Sequence, residues 1–143
     1  MNKIQEICAC VFIRNKEKVL VAKRADTKSF LPGKYELLGG HVEFGETLPD
    51  CLKRELKEEL HVDIVVEMPF HSFTNVYDKK TKHYIEVDYF AHLKNPNQKI
   101  RLNKEDHSSY KWISDSEVYK YFDRDDAEAK AIKEGFRILK KFR

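Results

Sequence analysis

The sequence is short of most features that would assign it to a special class. It has three cysteines, five glycines, four prolines and one tryptophan in 143 residues. Three thiols make no disulfide framework. Cys8 and Cys10 stand two apart, on one side of any strand, which is poor spacing for a zinc site, so small buried hydrophobes in a reducing compartment are expected. No apolar run approaches the ~18 residues of a membrane span. Charged residues interrupt the N-terminal apolar stretch too early for a signal peptide. Twenty-seven basic against 24 acidic side chains leave +3, too small an excess to announce a polyanionic partner. The basic cluster at 130–143 is expected to be a solvated helix face. Repeats, linkers and low-complexity tracts are also missing, which leaves one mixed α/β domain over 1–143, localised to the cytoplasm.

What is present is aromatic and alternating: 41% hydrophobic and 12% aromatic. Residues 7–13 are apolar on both alternating faces, as in a strand covered on both sides. A polar turn at 15–18 leads to a second strand at 19–23, closing a hairpin. Strand patterns recur at 63–66, 70–76 and 110–113, with a polar loop at 94–108. The clearest strand is 83–93. Ile85, Val87, Tyr89, Ala91 and Leu93 occupy one face, with Glu86, Asp88 and His92 on the other, and Glu86 is read as a solvent-facing strand residue. Ser114 and Glu117 form a capping box. A last helix from about Asp126 places Ile132, Phe136, Leu139 and Phe142 on one stripe.

The stretch GGHVEFGETLPDCLKRELKEELHV, residues 39–62, carries the chemistry. Thr47 is an N-cap candidate and Pro49 suits a first helical turn. At ~100° per residue the helix separates into three faces. Leu52, Leu56 and Leu60 face a core; Asp50, Lys53 and Lys57 face water; Glu55, Glu58 and Glu59 share a third arc. Like charges one turn apart repel, so a hard divalent cation or a structural role for Arg54 must compensate them. Oxygen-only ligation suits Mg²⁺ or Mn²⁺.

The spacing from Gly40 is Gly, five residues, Glu46, seven residues, Arg54-Glu55-Leu56, one residue, Glu58-Glu59, one residue, His61-Val62. It resembles the signature of the Nudix hydrolase family, G-x5-E-x7-R-E-U-x-E-E-x-G-U, where U is a bulky aliphatic. Six such positions coincide by chance on the order of 10⁻⁷ per register. Lys23-Arg24, Gly39-Gly40 and the Lys111–Ser114 segment before a helix extend the resemblance to small MutT-like members over most of the chain.

The resemblance implies an α/β/α sandwich with a mixed β-sheet between helices, and a hydrolase of phosphoric anhydride bonds. It implies Mg²⁺ (or Mn²⁺) held by Glu55, Glu58, Glu59 and the carbonyl of Gly39, with one glutamate helping to deprotonate water. Glu46 and Arg54 brace the loop and helix. Gly39, Gly40 and Arg24 meet substrate, Arg24 as a phosphate clamp or an exposed strand-end charge. A further metal ligand is expected from Glu105, ahead of Asp106, with Glu86 third. Phe73, Tyr77, Tyr84, His107 and Tyr110 are base-stacking candidates or core.

A nucleoside triphosphate pyrophosphohydrolase is the expected activity. An ADP-ribose or nucleotide-sugar pyrophosphatase and a non-catalytic nucleotide sensor are the alternatives, and isopentenyl diphosphate isomerase lacks its cysteine-bearing match. The partner is a small nucleotide, without membrane or duplex DNA, and the protein a monomer or homodimer. His61 departs from the signature's glycine. As a left-handed C-cap it makes His61→Gly an expected stabilisation of about 1 kcal/mol.

Overall fold

The strand Ile4–Asn15 (β1) is sheathed on both sides, and this organises the whole chain. In the computed structural model, which describes residues 2–142, β1 is followed by β2 (Lys18–Arg24), β3 (Tyr35–Glu36), β4 (Leu38–His41) and the helix α1 (Leu48–Leu60). Then come β5 (Ile64–Tyr77), β6 (Lys82–Leu93), β7 (His107–Ser114), a single 3₁₀ turn at Asp115–Glu117, α2 (Val118–Tyr121) and α3 (Ala127–Lys141). The sheet runs β3-β2-β1-β6-β5, with β4 on β1 and β7 on β2. β1 and β6 are parallel and the other pairs antiparallel, so the sheet is mixed.

Period-two alternation sends Ala9, Val11 and Ile13 of β1 toward Leu52, Leu56 and Leu60 of α1. It sends Cys10 and Phe12 the other way, toward Ile132 and Phe136 of α3. Two cores on opposite faces make the α/β/α sandwich. Each fully buried leucine of α1 contributes about 2 kcal/mol of transfer free energy. Phe12 meets Phe70, Phe90 and Phe136 edge-to-face, and a Cβ at Gly135 would lie 2.7 Å from the Phe12 ring. All three cysteines are free and buried.

Several expectations change. The strands at 63–66 and 70–76 are one strand, β5, whose register breaks around Pro69, where no N–H is available to the ladder. Strands β3 and β4 have no counterpart in the sequence reading, and β7 begins at His107 instead of Tyr110. Phe142 is not on the α3 stripe: the helix ends at Lys141 and Phe142 is 82% exposed. Of the 130–143 cluster, Lys133 and Lys140 pair with Asp115, Arg137 pairs with Glu134, and Arg143 lies outside the described residues. Glu86 does not face solvent: it is 1% exposed and Asp88 is 0%, because α3 covers that face.

His61 is the left-handed C-cap, at φ 59° and ψ 38°, with its N–H on the carbonyl of Lys57. Its ring Nδ1 also lies 2.9 Å from the carbonyl of Arg101, an attachment the sequence did not announce. Glycine would relieve the strain but lose that bond, worth about 1 kcal/mol. His61→Gly should therefore leave stability within about 0.5 kcal/mol of wild type, and His61→Ala, losing bond and keeping strain, should cost about 1–2 kcal/mol. Urea titration of both variants checks this; a gain of 1 kcal/mol in the glycine variant would show that the Arg101 contact adds nothing.

Candidate active site

Thr47 starts α1 by accepting the backbone N–H of Asp50 at 3.2 Å, with proline in the first turn. That start fixes the phase of the acidic arc, which proves to be graded in burial. The Glu58 side chain is 58% exposed, that of Glu55 16%, and Glu59 is buried.

Arg54 holds the arc together. Its Nε and one terminal nitrogen bind both oxygens of Glu46 at 2.8 and 3.0 Å. The other terminal nitrogen reaches Glu55 at 3.0 Å and Glu58 at 3.5 Å. The carbonyl of His41 accepts a further bond at 3.1 Å. Glu46 also accepts the N–H of Glu43, which ties the loop before α1 to the helix. The hydrogen bonds from Arg54, then that from Glu43, hold the Glu46 carboxyl down at about 2. The same bond to Glu46 raises Arg54. Through these contacts Arg54 and Glu46 tie the loop before α1 to the helix.

Glu55 and Glu59 go the other way. Burial raises the Glu55 carboxyl against the pull of Arg54. Burial, reinforced by the charges of Glu55, Glu36 and Asp106, raises Glu59 well above the usual range, opposed by a backbone N–H from Gly39. Oε2 of Glu59 is buried with no hydrogen-bond partner. Two buried acceptors crowded together, one orphaned, form a donor set that wants a cation.

The glycines make the close approach. A Cβ at Gly40 would fall 2.4 Å from the Glu55 carboxyl, and at Gly39, with φ 154°, 2.0 Å from the carbonyl oxygen of Ala9. Gly39, Gly40, Glu55 and Glu59 therefore meet in one place, with Glu58 at its exposed side.

The other expected residues divide. The charge of Asp106 acts on Glu55 and Glu59, and its carboxylate accepts from Lys28 at 2.7 Å. Glu105 is exposed. Arg24 is engaged by the carbonyl of Phe30 at 2.8 Å and by Glu36 at 3.3 Å. His107 is buried against Glu36 at 2.8 Å, and Tyr84 donates to Glu86 at 2.6 Å, which leaves Phe73, Tyr77 and Tyr110 as partly or fully exposed rings. Sequence reasoning missed Glu36 as the meeting point of Arg24 and His107. It also missed the cluster of Cys10, Glu86, Asp88 and Glu128, whose ligand-type atoms all lie within 4.8 Å of one another.

An α/β/α sandwich that loops two glycines against a carboxylate helix is the frame of a phosphoric-anhydride hydrolase. The chain belongs to the NUDIX family: the NUDIX domain model matches residues 5–135. Nucleoside triphosphatase NudI of Escherichia coli (strain SE11) is 30% identical over 126 residues, covering 82% of this chain and 87% of that protein. The crystal structure of a MutT protein from Methanosarcina mazei Go1 superposes with a TM-score of 0.79 at 22% identity, covering 99% of each chain. The solution structure of the E. coli ORF135 protein gives 0.71 at 24% identity, over 99% of this chain and 94% of that one. The protein is thus a Nudix hydrolase with the fold of these MutT structures. No helix among the described residues is long and apolar enough to cross a membrane.

Proposed function

We propose that the protein hydrolyses nucleoside triphosphates to nucleoside monophosphate and pyrophosphate, using Mg²⁺ or Mn²⁺, in the cytoplasm. The observation that carries this reading is the orphaned, buried Oε2 of Glu59 beside Glu55 and Gly39. The similarity to a nucleoside triphosphatase supports the choice of substrate.

Glu55, Glu58, Glu59 and the carbonyl of Gly39 would hold the cation. When bound, it neutralises the diphosphate and acidifies the attacking water. One of these glutamates, or a carboxylate on the later loop, would take up the water's proton. Arg54 and Glu46 keep the loop and helix in register, so the glycines present their backbone to the substrate. Asp106, whose charge reaches Glu55 and Glu59, would serve as the loop carboxylate of the site. Arg24, near the site but tied to Glu36, would meet phosphate only by exchanging that partner.

A panel of nucleoside triphosphates, ADP-ribose and a nucleotide sugar, each with Mg²⁺ and with excess EDTA, tests the reading. Triphosphates should show the highest kcat/KM, and EDTA should remove at least 99% of turnover, on the order of a 10²-fold loss. Preference for ADP-ribose or the sugar would move the protein to the alternative class, and undiminished turnover in EDTA would refute the metal assignment.

A further inference from the structure

The parallel register of β1 and β6 gathers a second set of metal-type ligands, on the sheet face opposite α1. Cys10 of β1 pairs with Asp88 of β6, and Glu86 stands two residues before Asp88 on the same side. Glu128, in the first turn of α3, completes the group. One atom from each of the four side chains lies within 4.8 Å of all the others. Asp88 is completely buried and Glu86 almost so. Donors are scarce: Tyr84 serves one oxygen of Glu86 at 2.6 Å, and the backbone N–H of Leu37 serves Glu128. Both oxygens of Asp88, Oε2 of Glu86 and Oε1 of Glu128 are buried with no hydrogen-bond partner.

Three buried carboxyls cannot stay charged and unpaired. Protons are one remedy, but a proton held between two carboxyls joins only two oxygens and leaves the rest orphaned. A cation serves all of them at once. The spacing suits a single ion: four ligands about 2.0–2.3 Å from a tetrahedral centre stand roughly 3.3–3.8 Å apart. Atoms already within 4.8 Å of one another close on such a centre by small side-chain rotations.

We propose that Cys10, Glu86, Asp88 and Glu128 form a second, structural metal site that holds Zn²⁺. The donor set makes the choice. A thiolate suits Zn²⁺, whereas Ca²⁺ and Mg²⁺ take oxygen ligands, and Mg²⁺ keeps several waters that a closed cluster has no room for. Four protein ligands without an open position define a structural zinc rather than a catalytic one. Tyr84 orients Glu86 from behind and leaves its Oε2 to the ion. Cys10 gives its thiol proton to solvent on binding, and the ion is taken up as α3 docks on the sheet. It fastens the first turn of that helix to the two central strands, whether or not the acidic arc hydrolyses triphosphates. The ligands come from three elements, so the spacing of Cys8 and Cys10 carries no trace of the site.

Cobalt reads the thiolate directly. Protein unfolded in urea with EDTA is refolded with Co²⁺, with Mg²⁺ in excess to occupy the acidic arc. Wild type and Glu59→Gln should both show a near-ultraviolet thiolate-to-cobalt absorption band that one equivalent of Zn²⁺ displaces. Cys10→Ser and Asp88→Asn should lose the band. Zn²⁺ should raise the melting temperature of wild type and leave that of Cys10→Ser unchanged. Glu128→Gln, on the helix, should keep the fold and bind Zn²⁺ more weakly, by at least about 10-fold.

Refolded wild type without the band, and with a melting temperature that Zn²⁺ does not raise, would overturn the site and leave the cluster to protons. A band that Cys10→Ser keeps and Glu59→Gln removes would overturn it too, by placing the ion on the arc near Cys51, whose Sγ lies 3.7 Å from the carbonyl of Gly40. Should Cys10→Ser and Asp88→Asn fail to fold, Glu128→Gln decides alone: an undiminished affinity for Zn²⁺ there would contradict the site.

Discussion

Glu59→Gln is expected to abolish most turnover and, without metal, to make the protein more stable. Glu59 is buried, its Oε2 has no partner, and burial raises its carboxyl well above the usual range. The amide keeps the volume, removes the charge, and still offers an oxygen to the N–H of Gly39. Removing a buried carboxyl that must keep its proton against the pH should add about 1–2 kcal/mol near neutral pH, while loss of a cation ligand should cost at least about 10²-fold in kcat/KM.

The pH dependence fixes the sign. A carboxyl raised in the folded state keeps its proton where the unfolded chain has lost it. Metal-free wild type should then lose stability as pH rises from about 4.5, the unfolded value, toward the raised folded value. Glu59→Gln should flatten that slope. Thermal melting in EDTA from pH 4 to 8, beside turnover in Mg²⁺, measures both. A variant clearly less stable than wild type in EDTA at pH 7 would make Glu59 a structural residue rather than a cation ligand.

Arg54→Ala should have the second largest effect, in the opposite direction on stability. The guanidinium bonds Glu46 through two nitrogens and also serves Glu55, Glu58 and the carbonyl of His41. Its removal unties the loop from α1 and leaves the carboxylates facing one another. Solvent reaches part of this network, so a loss of about 2 kcal/mol is expected. Turnover should fall about 10²-fold, because the glycine backbone and the acidic arc lose their common register. Arg54→Lys should recover only part of either, since an ammonium cannot grip Glu46 bidentately.

Glu46 supplies a separate signature. Its depressed carboxyl contributes stability that is present above about 4.5 and is lost as pH falls toward about 2. Arg54→Ala should lose that acid limb. Wild-type melting and kinetics in Arg54→Ala would reduce the network to a surface ornament.

The helix of the site was legible because its signals are local. Thr47, the leucine stripe and the arc all follow from a period of 3.6, and α1 bears them out in burial. The two cores were foreshadowed by the doubly apolar pattern of β1. β3 and β4 were not legible, because strands of two and four residues built around Gly39-Gly40 carry no period of their own.

The reading of Glu86 as solvent-facing failed for a different reason. Alternation reports that two faces differ, but what covers each face is long-range information. One signal was available: Phe90 lies on the same face, and a strand face carrying a phenylalanine next to two carboxylates is a poor candidate for open water.

The central claim is that the acidic arc and its cation direct water to the anhydride bond that separates the α-phosphate from pyrophosphate. Phosphorus-31 NMR of the products formed from a nucleoside triphosphate, with Mg²⁺ present, tests it most directly. The account predicts nucleoside monophosphate and pyrophosphate in equal amounts, with neither formed when Glu59→Gln replaces wild type. Nucleoside diphosphate and orthophosphate as the products, or full turnover by Glu59→Gln, would contradict it.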